Sequence, residues 1–162
     1  MITAVLESEP LPIDIGIGQA ERKAIAERLI YMLGDTQRLY QKTHAYHWNV
    51  TGPMFVTLHT MFETQYSELW IAQDVIAERI RALGFFVPPN PVRYSGIPEE
   101  EGVAPALEMV NQLVQGHEAT ARTAREALQV AEDGHDAPTV DLMTERLQVH
   151  EKTAWMLRSL LA

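Results

Sequence analysis

The chain contains no cysteine, so disulfides and thiolate metal sites are both excluded, and a cytoplasmic setting is the expectation. No apolar run approaches the roughly 18 residues that a membrane span requires. Residues 1–21 hold neither Lys nor Arg, and the opening MITAVLESEPLPIDIGIG carries Glu7, Glu9 and Asp14 where a secretory signal would carry basic residues. Positive charge is scarce throughout: 13 Lys and Arg stand against 22 Asp and Glu, for a formal net charge of -9. Strong electrostatic binding of nucleic acid draws on Lys and Arg neutralising phosphates, so a grip of that kind is not expected. An acidic surface attracts cations, although it also serves solubility alone.

What is present is a helical protein. At 162 residues and 46% hydrophobic content the chain reads as a single domain over 1–162, with residues 1–18 as an acidic N-terminal extension. Four long helical patterns run along it, with no convincing period-2 alternation and no repeat of fixed period. The first covers 19–49, with Ile25, Leu29, Met32, Leu33, Thr36, Tyr40, Thr43 and His47 at helical spacing. Thr51, Gly52 and Pro53 break it, and a second pattern runs from about Pro53 to Leu83, ended by Gly84. The Pro-rich PPNPVRYSGIP follows, long enough to cross from one end of a bundle to the other. A third pattern starts near Val103 or Ala104 and ends by Asp133, with Gly116 as a candidate break. The fourth starts near Pro138 and places Met143, Leu147, His150, Ala154, Leu157 and Leu161 on one seam. Short, long and short connections between four helices give an all-α, ferritin-like four-helix bundle with one long crossover between helices 2 and 3.

The second helix carries the chemistry. His59 with Glu63, and Asp74 with Glu78, are each spaced i to i+4, and the two pairs mirror each other about a point midway between residues 68 and 69. At about 100° per residue all four share an arc of about 100° on one face. Leu58, Phe62, Leu69, Ala72, Ile76 and Leu83 form a separate apolar stripe, roughly 140° away on the same wheel. At about 1.5 Å rise per residue, Glu63 and Asp74 stand roughly 16 Å apart, too far for one straight helix to grip one metal cluster. A second copy crossing antiparallel would bring His59 opposite Glu78 and Glu63 opposite Asp74, with Tyr66, Trp70 and Ala77 supplying apolar contact. An intra-bundle centre would need two Glu-x-x-His pairs, and the chain offers only Glu132 to His135, interrupted by Gly134 at a helix end. What remains is an inter-subunit set, with His47 available from the end of the first helix. Imidazole with carboxylate suits Fe(II), Mn(II) or Zn(II), and a mix this rich in carboxylate leans toward iron.

The stretches HWNVTGPMF (47–55), LHTMFE (58–63) and AQDVIAERIRALG (72–84) resemble the Dps family, the miniferritins of bacteria and archaea. The likeness covers most of the chain by helix order and length and is most specific from Lys42 to Gly84. It implies ferroxidase ligands at His47, His59, Glu63, Asp74 and Glu78, where Glu63 stands at a position that is Asp in some members. It implies a di-iron site, with Zn or Mn as possible substitutes, and a dodecameric shell built from two-fold dimers. Such a shell oxidises Fe(II), preferably with hydrogen peroxide, and stores ferric mineral. Trp48, beside His47, is then a candidate sacrificial electron donor, with a packed aromatic at the helix end as its alternative. In many family members DNA binding depends on Lys-rich terminal tails, which this acidic N-terminal segment and the carboxy end at Ala162 do not resemble, so direct DNA binding is not expected. A nucleoid-associated DNA-binding protein and a dimeric di-metal oxygenase are the competing readings.

The remaining candidates have weaker signals. His150 lies on the fourth helix's apolar seam and reads as a buried hydrogen-bonded imidazole, with an auxiliary metal ligand as the alternative. His44, one turn before His47, reads as a supporting or an exposed residue, while His117 and His135 carry no spacing signal. Arg79 and Arg81 are candidates to pair with a ligating carboxylate. Glu118 and Glu126 are the acids nearest the expected iron-entry pore, and Glu99, Glu100 and Glu101 read as a solvated helix start.

Overall fold

The computed structural model describes Leu6 and residues 12–162; residues 1–5 and 7–11, most of the expected acidic extension, lie outside the described residues. Helix α1 spans Gln19–Asn49, α2 Phe55–Ala82, α3 Ala106–Asp133 and α4 Ala137–Arg158, with a short 3-10 turn at Pro91–Tyr94 in the crossover. No strand occurs among the described residues, and no helix among them is long and apolar enough to cross a membrane. The expected four-helix order with its long second connection is therefore what the chain adopts. Helices α1 and α2 pack along each other, as do α3 and α4, and α1 also packs on α3. Helices α2 and α4 approach less closely and are bridged by long side chains.

The helix ends follow local chemistry. Asp136 caps α4, its carboxylate accepting from Thr139 N at 3.1 Å, and Pro138 sits in the first turn, where no backbone N–H is missed. Between α3 and α4, His135 takes the left-handed conformation (φ 56°) and Asp136 N returns to Ala131 O at 2.9 Å, so this histidine is a turn residue. Gly116 does not split α3. It lies against α1, where an added Cβ would stand 2.8 Å from Leu39 Cδ1, so close helix packing explains the glycine.

Along α2 the buried residues are Leu58, Phe62, Leu69, Ala72, Ile76 and Ile80; with buried Leu83 just past the helix end, these are the expected stripe plus Ile80. The α4 seam is buried at Met143, Leu147, His150, Ala154 and Leu157 but not at Leu161, which lies beyond the helix end and is exposed. The Glu99–Glu101 run precedes α3 rather than starting it, and it is anchored: Glu99 pairs with Arg38 at 3.3 Å and Glu100 with Lys42 at 2.9 Å. Buried Asp35 fastens the crossover further, accepting from Ser95 Oγ and Gly96 N at 2.8 Å and from Thr123 Oγ1 of α3 at 2.6 Å.

Candidate metal centre

The turn between α1 and α2 sets the geometry. Val50 N closes on Tyr46 O and Phe55 N on Gly52 O, so the chain reverses within five residues and lays the end of α1 beside the start of α2. Gly52 has φ +104°, a conformation that side chains rarely adopt. Gly52→Ala is expected to cost about 1–2 kcal/mol in urea denaturation, because nothing crowds the position and the penalty is backbone strain alone.

The reversal stacks His47 on His59, ring centroids 3.7 Å apart and planes 19° from parallel. Each ring bonds the other residue's backbone. His47 Nδ1 lies 2.8 Å from His59 O, and His59 Nδ1 lies 2.8 Å from His47 O. A carbonyl oxygen only accepts, so both Nδ1 atoms carry a proton, and in the neutral ring each Nε2 holds the lone pair. This is the tautomer a metal-binding imidazole needs, with its outer nitrogen already held. Phe55 stacks on His59 at 5.1 Å, and Tyr66 meets His47 edge-on at 5.2 Å. His47 is buried and His59 half-buried.

The three carboxylates extend along α2. Glu63, Asp74 and Glu78 are all exposed, and among the described residues none of them meets a hydrogen-bond or ion-pair partner. Arg79 is not their partner: it bonds Thr139 Oγ1 at 2.9 Å and the fully buried Asp136 at 2.7 Å. Arg81 bonds Phe85 O at 2.9 Å and covers the Phe86 ring. Around Asp74 the surface is apolar, with Trp70, Ile71 and Val75 exposed. Tyr66 and Ala77, expected on the same contact face, are half-buried. Among the described residues no three metal-ligating side chains converge within one protomer.

Trp48 is 65% exposed and lies against His44, ring centroids 4.0 Å apart and planes tilted by 39°, so in the protomer it is not a core aromatic. His44 stacks on Tyr66 at 4.1 Å. His150 is fully buried in the bundle, where it meets His117 at 2.9 Å between Nδ1 atoms. The structure joins it to that histidine and not to His47 or His59. Glu118 and Glu126 are committed to Arg158 and to Arg28, which leaves a pore role without support from the protomer.

A ferritin-like domain model matches residues 26–162. The chain is 34% identical over 142 residues to DNA protection during starvation protein 2 of Bacillus anthracis, covering 86% of this chain and 97% of that protein. The chain belongs to the Dps family. A low temperature-induced protein of Nostoc sp. is 37% identical over 152 residues, covering 91% of this chain and 85% of the relative. The solved structure of Dps from Vibrio cholerae O1, described as a member of a broad superfamily of ferritin-like diiron-carboxylate proteins, superposes with a TM-score of 0.88. It is 28% identical, with 96% of this chain and all of that one covered. Membership supports iron binding, iron storage and ferroxidase-type chemistry in general terms, and the finer assignment depends on the residues.

Proposed function

We propose that this Dps-family chain is a cytoplasmic ferroxidase and iron store whose oxidation site is shared between two copies. His47, His59 and Glu63 come from one protomer, and Asp74 and Glu78 from an antiparallel partner. The observation that carries the reading is the reciprocal His47–His59 pairing. It presents two imidazole nitrogens near the start of α2, while exposed Asp74, which meets no hydrogen-bond or ion-pair partner among the described residues, stands roughly 22 Å beyond His59 along the same helix. Two-fold symmetry lets two copies complete both sites at once, because an isologous contact pairs residue i with j and j with i. Exposed Trp70, Ile71 and Val75 near Asp74 supply the apolar surface for such a contact.

Fe(II) is the substrate. Hard anionic oxygens from Glu63, Asp74 and Glu78 favour Fe(III) over Fe(II) and so favour the oxidation. Two Fe(II) held together lose one electron each, and one hydrogen peroxide takes both with two protons to become two waters. Peroxide is the preferred oxidant in this reading, because a paired delivery avoids the one-electron cleavage that releases hydroxyl radical. Trp48, exposed beside His44, is the electron donor in this reading should a radical form. Twelve copies in a hollow shell would hold the ferric mineral, and any protection of DNA would come from removing iron and peroxide.

Anaerobic loading with Fe(II), followed by stoichiometric peroxide and absorbance of the ferric product, tests the reading. Asp74→Ala is expected to lose the fast phase while keeping the parent's assembled mass. Unchanged kinetics would remove Asp74 from the site.

A further inference from the structure

The bundle interior is not one continuous apolar core. One buried cluster gathers Ile25, Leu29, Ile76, Ile80, Ala124 and Met143, and another gathers Leu39, Leu58, Phe62, Leu113, Val114 and Leu157. Along the helices the boundary carries polar groups: Thr36 of α1, Glu68 of α2, His117 and Thr120 of α3, and Arg146 and His150 of α4. The two threonines are satisfied within their own helices, Thr36 on Met32 O at 2.7 Å and Thr120 on Gly116 O at 2.9 Å. The other four form a chain across the bundle.

Arg146 is buried and grips Glu68 with both terminal nitrogens, Nη2 reaching Oε2 at 3.0 Å. The same Nη2 lies 3.3 Å from His150 Nε2. A guanidinium has no acceptor, so His150 Nε2 must accept and carries no proton. The proton of His150 is then on Nδ1 and is donated to His117 Nδ1 at 2.9 Å. His117 in turn keeps its proton on Nε2, which is buried and has no hydrogen-bond partner among the described residues. Burial pushes His117 down to about 3 and His150 well below its ordinary value, so both are neutral. The outcome is a carboxylate and an imidazole lone pair, from facing helices, both directed at one cation. A second histidine fixes the imidazole's tautomer as a supporting partner does for a metal ligand.

Bundles of this class hold metal in their interior with carboxylate and imidazole from facing helices. Here part of that donor set is present, but a guanidinium lies where the ion would be, so a native intra-bundle metal does not fit. We propose that Arg146 is a built-in plug: Glu68 and His150, oriented by His117, form a cradle for a divalent transition-metal ion that the chain fills with its own cation. Three residues before Glu68, Gln65 Oε1 is a buried acceptor without a hydrogen-bond partner among the described residues and offers a further oxygen on that side of α2. The consequence for the natural protein is that metal is kept out of the bundle and directed to the protomer surface. This inference stands on the bundle interior and is independent of the shared oxidation site.

Arg146→Ala opens the cradle. Stripped of metal and titrated with Zn(II), the variant is expected to hold about one more ion per chain than the parent, with imidazole and carboxylate as ligands. Its thermal midpoint should rise with Zn(II) by more than the parent's does. Both gains should vanish in Arg146→Ala/His150→Ala, and adding His117→Ala to Arg146→Ala should weaken the new site roughly 10- to 100-fold. A folded Arg146→Ala with the parent's Zn(II) content overturns the proposal, as does an extra ion that survives in the double variant. If Arg146→Ala does not fold without metal, helical circular dichroism after refolding with and without Zn(II) decides. Recovery with Zn(II) that the double variant does not share supports the plug, and no recovery overturns it.

Discussion

Co-refolding equal amounts of His59→Ala and Asp74→Ala subunits is expected to restore about a quarter of the parent's fast Fe(II) oxidation, although each variant alone is inactive. Random pairing makes about half of the dimers mixed. In a mixed dimer one site receives both defects, and the other receives the intact histidine end of one chain and the intact acidic end of its partner. About a quarter of all sites are therefore whole. A site built within one chain gives the opposite result, because every site then carries one defect or the other and mixing restores nothing. The measurement is the amplitude of the peroxide-driven fast phase against mixing ratio, with light scattering to show that each preparation assembles alike. A flat, inactive line across all ratios would end the shared-site reading. The two positions suit the experiment because they lie toward opposite ends of α2, and Asp74 has no hydrogen-bond or ion-pair partner among the described residues to lose.

The parts of this design that sequence exposes are those written in helical period. Leu58, Phe62, Leu69, Ala72 and Ile76 are buried because their spacing keeps them on one side of α2, and that side alone faces the bundle. Glu63, Asp74 and Glu78 are exposed for the same reason. The α1 boundaries also match, because Thr51, Gly52 and Pro53 cannot continue a helix and their effect is local. What the sequence leaves unseen depends on contacts between distant segments. The His47–His59 exchange of hydrogen bonds needs the reversal at Gly52 to bring two backbones to one spot, and no spacing rule encodes it. His117 gives no signal because its meaning comes from His150, 33 positions later on another helix. Leu161 reads as a seam residue by period, yet the seam needs a helix to lie on, and α4 ends at Arg158. Glu99 and Glu100 read as a solvated helix start, but the crossover lies along α1, where Arg38 and Lys42 are waiting.

Acid is expected to destabilise the protomer from about pH 6.5 downward, through the buried histidine pair. Burial, followed by the nearby Arg146 charge, lowers His117 from its ordinary 6.5 to about 3, and burial, His117 and Arg146 lower His150 in the same direction. The unfolded chain therefore takes up protons near pH 6.5 that the folded chain refuses until about pH 3. Proton uptake on unfolding means that stability is complete above pH 6.5 and falls as pH drops through that window. The slope is about 1.4 kcal/mol per pH unit for each such group. At pH 4.5 His117 alone withdraws about 3 kcal/mol, a large share of the stability of an ordinary domain. Among the described residues, the charges bonded into this chain are Arg146 on α4 and the Glu68 carboxylate of α2 that pairs with it, and no hydrogen bond joins either histidine to a carboxylate. His117→Gln keeps an acceptor for His150 Nδ1–H and removes one titrating group. Urea denaturation at pH 7.0 and pH 4.5 should show a smaller loss for this variant than for the parent, even if it starts from lower stability at neutral pH. Equal losses in the two proteins would mean that the pair does not govern acid sensitivity.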